Sequence, residues 1–251
     1  MRQFFPVDIL AKEPYSIVLG YPKASRRQLK SRLAELKKLG IEDVSFQGPI
    51  LIGKIAVLGK GYTGVVILAK KGAKRVALKI RRIDSPRESM AKETILLEAA
   101  NKAKVGPRLI ESSDNFVVME YLDGKKIYDW INELKGRGRA TRLKSVIKKV
   151  LEDCHSLDRA GLDHGELSNI TKHVIVGKSV TIIDFESSSL ERRVSNVTSA
   201  TQAVLIGSGL AKMVRRIYSA PSKQKIIKSL RQYKEDQTQE SFDKVLEVLR
   251  L

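Results

Sequence analysis

Residues 59–80, GKGYTGVVILAKKGAKRVALKI, restrict the possible folds more than any other stretch of the chain. Gly59, Gly61 and Gly64 form a Gly-x-Gly-x-x-Gly run with Val66 two residues on. That spacing serves two unrelated architectures, because both bring backbone close to phosphates and use φ values that a Cβ would forbid. A dinucleotide-binding unit must open a helix after the third glycine. Here Val65, Val66, Ile67 and Leu68 continue as a β-branched apolar run to a Lys70-Lys71-Gly72-Ala73 turn, and Val76-Ala77-Leu78-Lys79 returns. The glycines therefore sit on a strand–turn–strand. A Walker A loop is excluded as well, since Gly64 is followed by Val65 and not by Lys-Ser/Thr. Lys79 falls on the returning strand in register with the glycines, which a hairpin of incidental glycines would not require.

The chain has 251 residues, enough for one large or two small domains, and 42% hydrophobic content supplies a core. Its single cysteine, Cys154, excludes an internal disulfide. The N-terminus, MRQFFPVDIL, lacks the layout of a signal peptide, and no apolar run approaches the roughly 18 residues of a spanning helix. The expectation is a soluble, cytoplasmic protein without membrane contact. There are 47 Lys and Arg against 28 Asp and Glu, a formal charge of +19, which favours polyanionic neighbours such as RNA or ribonucleoprotein. The basic residues are densest at Lys23–Lys38 and Arg137–Lys149, both on amphipathic helical patterns where they read as solvated faces. No RNA-binding motif accompanies them.

Residues 15–19 read as a strand, 24–39 as a helix with Leu29, Leu33, Leu36 and Leu39 on one face closed by Gly40, and 43–47 as a strand. This first segment, 1–48, reads as a small β-α-β unit ending at Gly48-Pro49. Ser85-Pro86-Arg87-Glu88 is a capping box that predicts a helix running to Lys104 before Gly106-Pro107. Phe116–Gly124 is an apolar strand that turns polar. Leu143, Val146, Ile147, Val150, Leu151, Cys154 and Leu157 mark a long helix with a core stripe. Val180–Ile183 is a strand ending at Asp184-Phe185-Glu186. Residues 198–251 read as three helices, the last with Phe242, Val245, Leu246 and Leu249 inward.

Taken together, the motifs resemble a protein kinase. The glycine run and Val-Ala-Leu-Lys are similar to its nucleotide lid, and His164-Gly165-Glu166-Leu167 is similar to the His-Gly-Asp-Leu catalytic loop of atypical kinases. Asp184-Phe185-Glu186 matches Asp-Phe-Gly with Glu in the third place. The order of motifs from 59 to 186 resembles the small archaeal atypical serine/threonine protein kinases related to the RIO and Bud types. The resemblance implies an α+β, bilobal protein-kinase-like fold: a five-stranded antiparallel N-lobe with its C-helix (49–119) and a reduced helical C-lobe (120–251), preceded by the 1–48 extension. It implies ATP, Mg2+ and transfer of the γ-phosphoryl group to a protein hydroxyl. Gly59, Gly61, Tyr62, Gly64, Val66, Ala77, Lys79, Glu93, Met119, Glu120 and Leu122 would contact ATP. Among these, Glu120 and Leu122 would act through their main-chain groups, and a helix carboxylate would hold Lys79. Glu93 and Glu98 both qualify; Glu93 with Leu97 meets the Glu-x-x-x-Leu pattern. Asp184 would bind magnesium.

Two positions depart from the pattern. Glu166 replaces the catalytic aspartate and carries the carboxylate a methylene, about 1.5 Å, further out. Thr171 stands where the metal-binding asparagine belongs, with Asn169 two residues early. Lys172 and His173 follow, the histidine without a metal-ligand partner at recognisable spacing. No Ala-Pro-Glu element follows Asp184, and Glu186–Asn196 is short for an activation loop, so the peptide platform of typical kinases is absent from the expectation. Two other readings stay open: an ATP-binding or slow-ATPase switch that docks on ribonucleoprotein, and a small-molecule phosphotransferase.

Overall fold

The computed structural model describes residues 3–251, and the chain divides into two units. One takes in the residues up to Ile95 together with Arg108–Leu122, the other Leu96–Pro107 with Asp123–Leu251.

The first unit runs β1 (Phe5–Pro6), α1 (Ser16–Leu19), α2 (Arg26–Lys38), β2 (Asp43–Ser45), β3 (Ile50–Ile52), β4 (Ile55–Val57), β5 (Gly59–Lys60), β6 (Gly64–Lys71) and β7 (Lys74–Arg81). It takes in the first five residues of α3 (Ala91–Lys102), whose remainder belongs to the second unit, and closes with β8 (Leu109–Ser112) and β9 (Phe116–Glu120). The β6–β7 hairpin is the spine of an antiparallel sheet in the order β1-β2-β6-β7-β9-β8, with β5 pairing the start of β6. The five strands expected over 49–119 are β5, β6, β7, β9 and β8, and β1 and β2 of the N-terminal segment extend this sheet beyond β6 to seven. Val65, Ile67, Ala69, Val76, Leu78, Ile80, Phe116 and Val118 build one buried face, closed by Leu10, Val18, Leu19, Leu36 and Val44.

Residues 15–19 are helical where a strand was expected. A run of five apolar-rich residues has no period that separates the two states. Ser16 Oγ donates to Glu13 Oε1 at 2.6 Å and the Gly20 amide to the Ser16 carbonyl at 3.0 Å, which closes the single turn of α1. Helix α2 opens with a reciprocal capping box: the Gln28 amide donates to Ser25 Oγ at 3.2 Å and the Ser25 amide to Gln28 Oε1 at 2.9 Å. Gly40, at φ +65°, ends it.

One cation of the basic stretch Lys23–Lys38 is not on a solvated face. Arg32 is 3% exposed and donates to the Leu19 and Arg81 carbonyls at 2.7 and 2.6 Å and to Asn115 Oδ1 at 3.0 Å. Burial, reinforced by neighbouring Arg81, lowers its guanidinium to about 10. Glu35, one position before Leu36, accepts from Ser113 Oγ (2.6 Å), the Asn115 amide (2.9 Å) and Asn115 Nδ2 (2.7 Å). Together these two side chains tie α2 to the β7–β9 side of the sheet.

Helix α3 starts at Ala91, six residues after the expected cap. Ser85 Oγ accepts from the Arg87 amide at 3.2 Å, a local turn that satisfies the serine without nucleating a helix. The Met90 amide is taken by the Asp114 carbonyl at 3.0 Å, and Ser89 Oγ accepts from the Ala91 amide at 3.3 Å.

The second unit contains β10 (Gly124–Lys126), α4 (Ile127–Asn132), α5 (Arg139–Arg159), α6 (Ile170–His173), β11 (Val174–Gly177), β12 (Val180–Ile182), α7 (Asn196–Leu205), α8 (Gly209–Ile217), α9 (Lys223–Asp236) and α10 (Gln239–Leu249). Strands β10, β11 and β12 form a small antiparallel sheet. The stripe of α5 is buried from Leu143 through Cys154 to Leu157, as its period requires; burial and the nearby Asp158 and Asp153 push the Cys154 thiol up. Four helices, not three, follow residue 195. Ser208 breaks the run and caps α8, its Oγ accepting from the Ala211 amide at 3.0 Å. Among the described residues no helix is long and apolar enough to cross a membrane.

Candidate active site

In the first unit, register places Val66 opposite Lys79 and Gly64 opposite Arg81. None of Gly59, Gly61 and Gly64 has a positive φ, so the expected conformational reason for glycine does not apply to them. Gly64 is needed for space. A Cβ there would lie 3.0 Å from both Cγ and Cε of Lys79, so the lysine stem runs directly over the glycine. At Gly59 a Cβ would meet only Val66, at an ordinary 3.9 Å. Between them Tyr62 is 71% exposed, and the turn is closed by the Gly61 amide donating to the Gly64 carbonyl at 2.8 Å.

Lys79 Nζ lies 2.5 Å from Glu93 Oε1, and both side chains are only 6% exposed. Of the two glutamates open in the sequence, Glu93 forms this pair; Glu98 is exposed. Two charges leave water together only at a cost that close geometry offsets, so a buried pair of this kind is seldom kept for stability alone. Ala77 pairs in register with Met119, and Val76 with Glu120, whose amide donates to the Arg108 carbonyl at 2.9 Å. Leu122 ends this unit, partly buried.

In the second unit, the loop after α5 carries His164, Gly165 and Glu166. His164 is fully buried: its amide donates to Asn196 Oδ1 at 2.8 Å and its Nε2 meets the Ile183 carbonyl at 3.1 Å. Burial, helped by neighbouring His173, pulls its imidazole down to about 4. Asn196 was not singled out in the sequence. Its Nδ2 also donates to Asp158 Oδ1 and to the Leu162 carbonyl, both at 2.8 Å, so the first residue of α7 clamps Leu162 and His164 of the loop to α5. Asp158 in turn caps α7 through the Asn196 and Val197 amides at 2.9 and 3.2 Å and accepts from Tyr233 OH at 3.0 Å.

Glu166 has a partner on each carboxylate oxygen. Ser187 Oγ donates to Oε1, and His173 Nε2 lies 2.9 Å from Oε2. His173 is buried, not a surface group, and its ring packs edge-on against His164 with centroids 5.2 Å apart. Asn169 is exposed, with its Oδ1 accepting from Thr171 Oγ1 at 2.8 Å. Asp184 follows β12 at φ +71°, a left-handed conformation costly for a side-chain-bearing residue. Its carboxylate and that of Glu186 have oxygens within 4.8 Å of each other. Phe185 is buried against His164, ring centroids 5.1 Å apart, and against Gly106, where a Cβ would come within 2.7 Å of the ring. Lys126 also escaped the sequence reading. Its ammonium donates to the Lys172 carbonyl, and burial lowers its pKa, partly offset by Asp184.

The His164 value gives a pH prediction. The folded state holds it near 4, below the 6.5 of an unperturbed histidine, so from pH 6.5 down to 4 the unfolded chain binds a proton that the folded chain refuses. Stability conferred by the neutral ring is complete above pH 6.5 and falls by on the order of 3 kcal/mol by pH 4. Urea unfolding at pH 7 and 4.5 should show a smaller acid loss for His164→Asn than for the wild type; equal losses would contradict the assignment.

A RIO domain matches residues 69–196, 128 of the 251 residues. The matched stretch contains Lys79, Glu93, Glu166 and Asp184. A Bacillus subtilis (strain 168) protein named "Putative serine/threonine-protein kinase YrzF" is 24% identical over 114 residues, 45% of this chain and 50% of that protein. The chain thus spans about half the length of this curated relative. With just over half of its residues inside the domain match, the chain belongs to the RIO domain family of atypical kinases.

Proposed function

We propose that the protein is an ATP- and Mg2+-dependent serine/threonine protein kinase. The observation that carries the reading is the buried Lys79–Glu93 pair laid across Gly64. A lysine held immobile beneath a glycine turn is what orienting α- and β-phosphates requires. ATP supplies the γ-phosphoryl group, and magnesium the charge that draws the phosphate oxygens together.

The donor set suits magnesium. Asp184 and Glu186 offer hard carboxylate oxygens from one turn, and magnesium needs few protein ligands because it keeps much of its water. Asp184 is the principal ligand in this reading, with Asn169 as a further oxygen donor once it releases Thr171. Gly59, Gly61, Tyr62, Gly64 and Val66 cover the nucleotide, and Ala77, Met119 and the main-chain groups of Glu120 and Leu122 receive adenine. Glu166 accepts the proton of the attacking hydroxyl; that Oε1 already accepts from the Ser187 hydroxyl supports this role. The attacking oxygen forms the new bond to phosphorus, the bond to the bridging oxygen breaks, and ADP leaves.

A second reading, an ATP-driven switch on ribonucleoprotein, is favoured by one observation. Lys23, Arg26, Arg27, Lys30, Lys37 and Lys38 are exposed on and before α2 in a chain of charge +19.

Nucleotide binding is tested by thermal denaturation. Mg·ATP at about 100 times its dissociation constant should stabilise the wild type by about 2.7 kcal/mol, with Lys79→Ala losing most of that gain. An equal shift in the variant would remove Lys79 from the phosphate site.

A further inference from the structure

We propose that His173 is a positioning residue that holds the Glu166 carboxylate, making glutamate, and not the family's aspartate, the residue this site is built for. The inference rests on the phosphotransfer reading of Glu166.

His173 Nε2 is 2.9 Å from Glu166 Oε2, and the imidazole side chain is 5% exposed. Its other nitrogen, Nδ1, is buried without a hydrogen-bond partner. That asymmetry selects the tautomer. A proton on Nδ1 would be an orphaned buried donor, which folded proteins rarely tolerate, whereas a bare Nδ1 leaves only an under-used acceptor. The neutral ring therefore carries its proton on Nε2 and donates it to Glu166.

The ring is held on several sides. Its backbone carbonyl accepts the Ile183 amide at 2.8 Å, one residue before Asp184. His164 packs edge-on against it with centroids 5.2 Å apart, and His164 is itself fixed to the Ile183 carbonyl and packed on Phe185. The chain Phe185–His164–His173–Glu166 thus couples the turn bearing Asp184 to the acid through packed rings and one hydrogen bond. A glutamate has one more rotatable bond than an aspartate and reaches about 1.5 Å further. Left loose, that reach would blur the place where the hydroxyl proton is accepted, and a misplacement of about 1 Å costs on the order of a hundredfold in rate. Anchoring Oε2 on a buried imidazole removes the freedom and leaves Oε1 facing Ser187. The sequence carried a trace of this in the spacing Glu166…His173, seven residues spanning the two short turns Leu167–Asn169 and Ile170–His173.

The test is a double-mutant cycle of phosphoryl transfer in the full chain with saturating Mg·ATP, ATP affinity measured in parallel. His173→Leu should lower kcat roughly 10- to 100-fold with ATP affinity unchanged. His173→Gln, whose amide nitrogen stands in for Nε2, should recover most of that loss. Glu166→Asp should lower the rate, and His173→Leu should cost little more in that background, because the shorter acid no longer reaches the ring. Nitrogen NMR of the nucleotide-free protein should show His173 protonated on Nε2, with that resonance moved by Glu166→Asp. A wild type that transfers phosphate while His173→Leu is unimpaired, or costs that simply add, would overturn the positioning role and leave the kinase reading standing. A ring protonated on Nδ1 would overturn it equally. A wild type that transfers no phosphate to any acceptor would overturn the kinase reading itself, and the positioning role with it.

Discussion

Glu166→Gln should lower phosphoryl transfer by on the order of 10²- to 10⁴-fold, the usual contribution of a positioned general base, while leaving Mg·ATP binding intact. The amide is nearly isosteric and keeps one oxygen for the two donors, Ser187 Oγ and His173 Nε2, at a side chain 42% exposed to water, so the second unit should remain folded; what it loses is the capacity to accept a proton. If the hydroxyl needs no base, or if another group provides it, the variant stays within a few-fold of the wild type. Quench-flow transfer from γ-labelled ATP, with ATP affinity measured separately, distinguishes a chemical defect from a binding one. Asp184→Ala should be at least as damaging but should act through the metal, so that raised Mg2+ recovers part of its loss and none of the Glu166→Gln loss.

Arg32→Ala should cost the first unit about 3–5 kcal/mol. The substitution removes one buried and two partly buried hydrogen bonds and leaves the Leu19 and Arg81 carbonyls facing an empty cavity, while Asn115 Oδ1 keeps only its Arg81 donors. A buried guanidinium lowered to about 10 is already costly to keep, so it persists only because its partners cannot be satisfied otherwise. Arg32→Met, which restores volume but no donor, should recover only part of the loss. Chemical denaturation checks both. A change below about 1 kcal/mol for Arg32→Ala would mean that the N-terminal helix is attached by its leucines alone.

The hairpin at 64–81 was legible because β-branched runs and a glycine turn leave little choice, and α5 because seven apolar positions repeat at helical spacing over fifteen residues. The Lys79–Glu93 partnership was open between two glutamates until burial separated them. Other features had no local signature. Arg32 looks like its exposed neighbours in sequence, since nothing within α2 announces the two carbonyls waiting 13 and 49 residues away. Asn196 and Ser187 are ordinary polar residues in sequence until the fold brings them to the His164 amide and the Glu166 carboxylate. Residues 15–19 and Ser85-Pro86 misled for the opposite reason: their local patterns are genuine, but a five-residue apolar run suits either state, and a capping serine can close a turn instead of opening a helix. The need for glycine at position 64 was explained wrongly, because the side chain of Lys79, not backbone φ, excludes a Cβ there.

The most direct measurement incubates the protein with γ-labelled ATP, Mg2+ and a generic basic protein, beside Lys79→Ala, Asp184→Ala and Glu166→Gln, and scores label on protein against free phosphate. The account predicts label on protein hydroxyls in the wild type and its loss in all three variants. Tight ATP binding with no transfer, or phosphate release untouched by Glu166→Gln, would contradict it and make the nucleotide a switch.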